Sequence, residues 1–288
     1  MKRSIWKLSL LILLTILINC SSTTPKEPEP SPAVQKEVEV GRALAARLAK
    51  KYGLVQDKEF TIYLNKLGQS LAANSSRQEL NFRFGVLNTN EINAFACPGG
   101  YILITLGSIK LMESESELAS VLSHEISHVS LMHSGNFEGQ DHNFLDILAA
   151  VMAPGGDLVS SLAHSAMNNL VDELLEKGRD KAQEIEADKA GILLASQLQY
   201  DLDSSISYLT KIQKDQENNK VLLKTHPPTQ ERIEAIKKFI ADQKLASKGK
   251  TNPERFNNSL SRLTARLENK PEPELLQPSN SKKDTKER

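Results

Sequence analysis

Two histidines and a glutamate within five residues are the side chains of this 288-residue chain best suited to chemistry. The segment reads His124-Glu125-Ile126-Ser127-His128. Positions i and i+4 lie one above the other on a helix, so both imidazoles can bind one zinc ion. Glu125 is then placed to take a proton from the metal-bound water, as in a zinc metalloprotease. The alternative is that two surface histidines flank a glutamate by chance.

A helix must hold these side chains in place. Ser114 and Glu117 have the spacing of a capping box, which predicts the start of a helix that runs to about Met132. Apolar residues at helical spacing follow the cap: Leu118, Val121, Leu122, Ile126 and Val129. The histidines lie beside this apolar stripe, so we expect the site at the floor of a cleft.

A catalytic zinc site needs a third protein ligand and one open position. Glu184, Asp188 and Gly191 are spaced i, i+4 and i+7, so they share one face of a predicted helix. We expect Glu184 to bind the metal and Asp188 to accept the N–H of a ligating histidine, with Gly191 allowing a second helix to approach closely. Glu186 competes as the ligand but points away from that face. The alternative is a solvated acidic face.

Two further segments accompany these motifs. Residues 93–102 read Asn-Ala-Phe-Ala-Cys-Pro-Gly-Gly-Tyr-Ile, and residues 225–228 read Thr-His-Pro-Pro, with Arg-Ile at 232–233. Together the four motifs resemble the gluzincin zinc endopeptidases of the HtpX-like, Ste-type and Oma-type family. Within it, the chain is most similar to lipid-anchored periplasmic proteases of the BepA and LoiP type. Met132 departs from the pattern, since many relatives carry arginine there.

The resemblance implies an α+β, mostly helical metalloprotease domain over residues 33–246, with a small β-sheet beside the cleft and one Zn²⁺ per chain. It also implies that Asn93, Ala94, Phe95 and Ala96 bind substrate, as an exposed edge strand that pairs with an extended peptide. Alternation of apolar residues predicts strands at 82–87 and 101–106, and helical spacing predicts helices at 38–54 and 60–71.

For His226 the resemblance offers two roles that the sequence leaves open. As a donor, His226 would stabilise the oxyanion of the tetrahedral intermediate. As a fourth zinc ligand, it would displace the catalytic water and keep the protease shut, as in the BepA-type relatives. Taken alone, a lone histidine before two prolines is more often a capping or surface residue.

The N-terminus has the features of an export signal. A basic start and an apolar stretch at 8–18 predict a signal peptide over residues 1–19. Cys20 follows and resembles a bacterial lipobox cysteine, which implies a lipid anchor in the outer membrane facing the periplasm. Asn19 departs from the small residue usual there, and the alternative is an ordinary signal peptide. Residues 20–32 are expected to form a semi-extended tether.

Composition limits the classes of function. The chain has 36 basic and 36 acidic residues, and it has no long basic stretch, which argues against nucleic-acid binding. Its two cysteines are Cys20 and Cys97, so a lipid on Cys20 would leave no intramolecular disulfide.

Two segments are less regular. Residues 134–178 lie between the second and third expected ligands, and we expect either a helical lid over the cleft or ordinary core helices. The resemblance adds membrane contact as a third, weaker alternative. His142 and His164 in this segment are expected not to bind the metal. Residues 247–288 are rich in Lys, Asn, Pro and Ser, and we expect a largely disordered tail with one short helix near 253–267.

The sequence therefore predicts a zinc-dependent endopeptidase. By resemblance, its substrates would be misfolded or unassembled cell-envelope proteins, and it would work beside the envelope assembly machinery. The alternatives are a chaperone-like assembly factor and a binding lipoprotein, in which the zinc site is structural or kept shut.

Overall fold

The helices and strands follow the apolar spacing of the sequence. The structure is a computed structural model, which describes residues 30–133, 180–214, 225–226 and 230–269. The chain divides into two units, Met1–Ser31 and Pro32–Arg288, and the elements belong to the second. In chain order they are α1 (Pro32–Tyr52), α2 (Lys58–Ala72), β1 (Arg83–Leu87), β2 (Ala94–Cys97), β3 (Tyr101–Thr105), α3 (Leu106–Leu111), α4 (Glu115–Ser130), α5 (Lys181–Gln197), α6 (Asp203–Lys214), α7 (Gln230–Asp242) and α8 (Pro253–Glu268).

The three strands form one mixed sheet in the order β1-β3-β2. β1 runs parallel to β3, with Arg83 opposite Tyr101, and β2 runs antiparallel to β3, with Ala94 opposite Ile104. Helices therefore outnumber strands in the described residues, and the predicted fold class, a mostly helical α+β domain with a small sheet, is confirmed.

Side chains alternate between the two faces of this sheet. Ile102 and Ile104 of β3 join the larger core with α2 and α4. Leu103 faces the other way and joins a smaller core with Phe95 and with Leu44 of α1. This alternation is the period-two pattern that places successive side chains on opposite faces of a strand. The small sheet is thus covered by helices on both faces.

β2 lies at an edge of the sheet, as expected, but its residues are buried in this structure, backbone included. Ala94, Phe95, Ala96 and Cys97 are at most 3% exposed. The reason is that the sheet is covered on both faces, so even an edge strand buries the alternate side chains of each face.

Helix α1 packs against the Pro98–Gly100 turn at unusually short range. A Cβ on Gly41 would come within 1.7 Å of the Pro98 carbonyl oxygen, so a larger residue would force the helix away. Buried Glu37 joins the two elements, since its Oε1 accepts a hydrogen bond from the Gly99 N–H at 2.9 Å. Gly99 has φ +67°, a conformation that favours glycine. This turn fixes the end of β2.

The predicted capping box begins α4. Ser114 Oγ accepts a hydrogen bond from the Glu117 N–H at 3.3 Å. Glu117 Oε2 reaches back to the N–H of Glu113 at 2.8 Å, one residue earlier than in the usual box. Lys211 of α6 also donates to Glu117 Oε1 at 2.7 Å. The start of α4 is therefore held by its own cap and by a neighbouring helix.

The first residue of α4, Glu115, is fully buried and joins distant parts of the chain. Its carboxylate accepts hydrogen bonds from Tyr63 Oη at 3.0 Å, Tyr200 Oη at 2.7 Å, Asn252 Nδ2 at 2.8 Å and the Arg255 guanidinium. Burial alone would raise the pKa of Glu115, but these donors outweigh it and lower the pKa below its ordinary value.

Helix α8 differs from the predicted disordered tail over 247–288. The short helix expected near 253–267 is present as Pro253–Glu268, and it packs on the core through fully buried Phe256 and Leu263. The mostly polar composition of the segment predicts disorder, although Phe256, Leu260, Leu263 and Leu267 recur at the spacing of an apolar helix face. Residues 270–288 lie outside the described residues.

Several other expectations also lie outside the described residues. They are the signal peptide at 1–19, Cys20, most of the tether at 20–32, and the segment 134–178 with its two histidines. None of the helices in the described ranges combines the length and apolar composition needed to cross a bilayer.

We predict that Glu115→Gln lowers the free energy of unfolding by about 2 kcal/mol at pH 7, because hydrogen bonds to a charged acceptor are lost. The folded-state pKa of Glu115 is lowered, so its contribution is present above the ordinary value of 4.5 and is lost as the pH falls further. Urea unfolding with EDTA at pH 7 and pH 3 should therefore show a smaller difference between variant and wild type at pH 3. Exposed Glu254→Gln serves as the control, and an equal loss at both pH values would contradict the assignment.

Candidate metal centre

Four side chains from three parts of the chain converge on one point. His124 and His128 come from α4, Glu184 comes from α5, and His226 precedes α7. One nitrogen or oxygen of each residue lies within 4.8 Å of the corresponding atoms of the other three. Only His124 is more than slightly exposed, with 13% of its side chain accessible. Two imidazoles, a carboxylate and a third imidazole are a typical donor set for a zinc ion.

The distances between these donors fit a metal ion of the size of zinc. Tetrahedral bonds of about 2.0–2.1 Å place neighbouring ligand atoms about 3.3 Å apart. The Nε2 atoms of His124 and His128 are 3.0 Å apart, and Glu184 Oε1 lies 3.2 Å from His128 Nε2. Glu184 Oε2 lies 3.4 Å from His124 Nε2. The residues present therefore fit a metal ion.

Close packing of α4 and α5 positions Glu184. Gly191 faces α4, and a Cβ at this position would lie 3.1 Å from the backbone nitrogen of His124. The absence of a side chain at Gly191 therefore lets the two helix backbones approach, as its spacing with Glu184 predicts. Glu186 points elsewhere and is 62% exposed, which separates it from the four convergent residues.

Asp188 lies where the spacing predicts it, beside His124. Asp188 Oδ1 is 3.0 Å from His124 Nδ1, the ring nitrogen that faces away from Glu184. Burial alone would lower the pKa of His124, but the carboxylates of Asp188 and Glu184 outweigh it and raise the pKa to about 9. Burial would raise the pKa of Asp188, but the positive charge of Arg232 lowers it.

Arg232 is a residue of the site that spacing alone does not reveal. Its guanidinium holds Asp188 with two hydrogen bonds of 2.7 Å, and its Nη1 lies 2.9 Å from Glu184 Oε2. It also donates to the backbone oxygen of His226 at 3.4 Å. The only signal in the sequence is its place six residues after His226. Buried Arg232 thus contacts both carboxylates of the site and the backbone of His226.

A cavity of about 60 Å³ opens beside these residues, and Glu125 faces it. Glu125 is 2% exposed, and its Oε2 has no hydrogen-bond partner among the described residues. Buried carboxylate oxygens are almost always hydrogen-bonded, so an unpaired one indicates a place for a water molecule or ligand.

Glu184 has a perturbed pKa. Burial alone would raise the pKa of this carboxyl, but the charge of His226 and the hydrogen bonds from the neighbouring histidines outweigh burial and lower the pKa.

The residues expected to bind substrate divide into two groups. Asn93 and Ala94 line the cavity, and Asn93 Nδ2 is a second buried polar atom that lacks a partner in the described part of the chain. Phe95 and Ala96 do not line the cavity, because their side chains pack into the cores on either face of the sheet. The structure therefore brings only part of the predicted strand to the site.

The family model for peptidase family M48 matches residues 59–240, which is more than half of the chain. The chain belongs to peptidase family M48. The membership confirms the predicted class, a metalloendopeptidase, and the resemblance to the BepA and LoiP type.

Named relatives agree with this assignment. The beta-barrel assembly-enhancing protease of Escherichia coli O157:H7 is 29% identical over 62% of this chain and 38% of its own length. Metalloprotease LoiP of E. coli K12 is 27% identical over 63% of this chain and 71% of its length. The human mitochondrial metalloendopeptidase OMA1 is 26% identical over 56% of this chain and 33% of its length.

The match covers a minor part of the beta-barrel assembly-enhancing proteases. The aligned region spans 38% of the E. coli protein and 21% of the Yersinia pestis protein. The substrates and partners of those longer proteins therefore do not pass to this chain by similarity alone.

Proposed function

We propose that the chain is a zinc-dependent endopeptidase, in which His124, His128 and Glu184 hold one Zn²⁺. The donor set of two imidazoles and one carboxylate is that of several catalytic zinc sites. The observation that carries the proposal is the buried, unpaired oxygen of Glu125, which lines the same cavity as His124. A structural zinc site would have no need of such an acceptor.

Zinc, when bound, polarises a peptide carbonyl and lowers the pKa of water to about 7. In the proposed reaction, Glu125 takes a proton from the water that attacks the carbonyl carbon. As the new C–O bond forms and the C–N bond breaks, Glu125 passes this proton to the leaving nitrogen. The products are a carboxylic acid and an amine, and Glu125 returns to its starting charge. Asp188 and Arg232 meanwhile keep His124 oriented.

Substrate would be held from the β2 side of the cavity. Asn93 lines the cavity, and its Oδ1 already accepts the N–H of Ala94 at 2.9 Å, whereas its Nδ2 donor has no partner among the described residues. We assign this amide to a main-chain carbonyl of an extended polypeptide. Contacts to the backbone suit a protease that accepts many side chains.

The proposed substrates are misfolded or unassembled cell-envelope proteins. Support comes from two relatives whose names describe a beta-barrel assembly-enhancing protease, and from the signal and lipobox pattern that ends at Cys20. The enzyme would then be anchored by lipid to the outer membrane, face the periplasm and act beside the envelope assembly machinery.

The alternative is an assembly factor with a shut zinc site, and the short distance between His226 and Glu184 supports it. His226 Nδ1 lies 2.9 Å from Glu184 Oε1, so His226 is close enough to supply a fourth ligand. We favour a reversible version of this state, in which His226 closes the site until substrate moves it. The oxyanion role for His226 predicts the opposite effect of its removal.

The general-base role is tested with Glu125→Gln. The amide cannot take the proton, so casein cleavage should fall by at least about a hundredfold while zinc content stays at the wild-type level. Exposed Glu254→Gln provides the matched control and should behave like wild type. Cleavage that persists in a zinc-loaded Glu125→Gln protein would refute the role.

The role of His226 is tested with His226→Ala on the zinc-loaded protein. If His226 is the closing ligand, its removal should raise the rate of casein cleavage several-fold, because the fourth position becomes open to water. A fall of about a hundredfold would instead support the oxyanion role. Unchanged cleavage together with unchanged zinc affinity would contradict both.

A further inference from the structure

The end of α4 folds back on itself and returns His133 over the helix. The Met132 N–H donates to the Val129 oxygen at 3.1 Å, and the His133 N–H donates to the His128 oxygen at 2.9 Å. Met132 has φ +56°, the left-handed conformation of a Schellman motif. This motif brings the side chain at the position of His133 next to the one at the position of His128. Both are histidines here.

The two imidazoles are in hydrogen-bond contact. His128 Nδ1 and His133 Nδ1 are 2.9 Å apart, and the side chain of His133 is only 5% exposed. His133 Nε2 lies 3.3 Å from Oε2 of Glu186, which reaches the surface of α5. A line of polar atoms therefore leads from His128, at the metal centre, through His133 to an exposed carboxylate.

When His128 binds a metal through Nε2, the chemistry of imidazole allows hydrogen bonds to be donated in only one direction, from His128 to His133 to Glu186. A neutral imidazole has one N–H, so His128 must then carry its hydrogen on Nδ1 and donate it. His133 Nδ1 must accept, which leaves the hydrogen of His133 on Nε2. Glu186 is a carboxylate and can only accept. Each donor from His128 to Glu186 then faces an acceptor.

The other metal-facing histidine, His124, contacts a carboxylate without an intervening residue. His124 Nδ1 faces Asp188 directly at 3.0 Å. His128 Nδ1 instead faces His133 Nδ1, and His133 stands between His128 and the carboxylate of Glu186. Both rings thus have a polar atom within 3.0 Å of the nitrogen that faces away from the proposed metal, and such neighbours can fix the orientation and tautomer of a ligating histidine.

We propose that His133 and Glu186 are positioning residues for the metal ligand His128, with His133 accepting the Nδ1–H of His128 and Glu186 accepting the Nε2–H of His133. The inference rests on the proposed metal site. It gives a role to His133 and to Glu186, neither of which belongs to the proposed set of metal ligands.

Two substitutions at His133 separate hydrogen bonding from packing. His133→Leu fills similar space without an acceptor, whereas His133→Asn keeps an oxygen on the same carbon that carries Nδ1 in histidine. Zinc affinity, measured at pH 7 by competition with a chromogenic chelator, should fall 10- to 100-fold in His133→Leu. It should stay close to wild type in His133→Asn. Equal affinities in all three proteins, or an equal loss in both variants, would overturn the proposal.

A second readout follows the hydrogen itself. In the Co²⁺-loaded protein, the Nδ1–H of a ligating histidine gives a strongly shifted proton NMR signal that disappears when it exchanges rapidly with water. The signal of His128 should be retained in wild type and His133→Asn and be lost in His133→Leu. Retention of this signal in His133→Leu would overturn the proposal, since a purely packing role would leave exchange unaffected.

Glu186→Ala tests the outer end of the line. Because Glu186 is exposed, water can replace it, so zinc affinity should fall less than in His133→Leu but more than in the exposed control Glu234→Ala. Equal zinc affinities in Glu186→Ala and Glu234→Ala would contradict the role proposed for Glu186. Failure of the metal site itself is distinguishable, since the wild-type protein would then bind neither zinc nor cobalt stoichiometrically.

Discussion

The structure depends on the burial of two carboxylates beside three imidazoles. Glu184 and Asp188 are at most 7% exposed, and an ionised carboxylate taken out of water costs several kcal/mol unless positive charge compensates it. Arg232 supplies part of that charge through close contacts with both residues. A divalent cation between Glu184 and the histidines would supply the rest. The arrangement of α4, α5 and α7 therefore brings Arg232 and the proposed metal site to the same carboxylate, Glu184, while Asp188 lies between Arg232 and His124.

The rest of the fold holds α4 rigidly enough for this purpose. Glu115 joins the first turn of α4 to α2, to Tyr200 in the segment after α5, and to α8. Its one carboxylate accepts four hydrogen bonds from these parts of the chain. Gly191 lets α5 approach its middle, and the turn at Met132 closes its end. Sites built on such supported helices keep their geometry better than sites on loops. The cavity at Glu125 lies between this fixed helix and the edge of the sheet.

Local patterns in the sequence were enough to predict the two helices that bring His124, His128 and Glu184 together. The i, i+4 spacing of His124 and His128, and the i, i+4, i+7 spacing of Glu184, Asp188 and Gly191, predict faces that the structure brings together. These predictions succeed because the period of a helix is fixed by its backbone. The prediction of Asp188 beside His124 succeeds for the same reason.

Long-range partners could not be predicted in this way. The double hydrogen bond of Arg232 to Asp188 spans 44 positions, and the contacts of Asn252 and Arg255 with Glu115 span more than a hundred. The helical spacing of Phe256, Leu260, Leu263 and Leu267 predicts an apolar face on α8, but it does not identify the core that this face contacts. The pairing of His133 with His128 is short in sequence, but it depends on a left-handed residue, Met132, of a type that rarely adopts that conformation.

The most direct test of this account is the zinc content of Glu184→Ala and Glu186→Ala, measured by mass spectrometry of the metal after loading with excess zinc and desalting. The two residues lie on the same helix, and only Glu184 is buried at the convergence of the histidines. We predict one zinc per chain in wild type and in Glu186→Ala, and a loss of stoichiometric zinc in Glu184→Ala. Full zinc in Glu184→Ala with loss in Glu186→Ala would contradict the account.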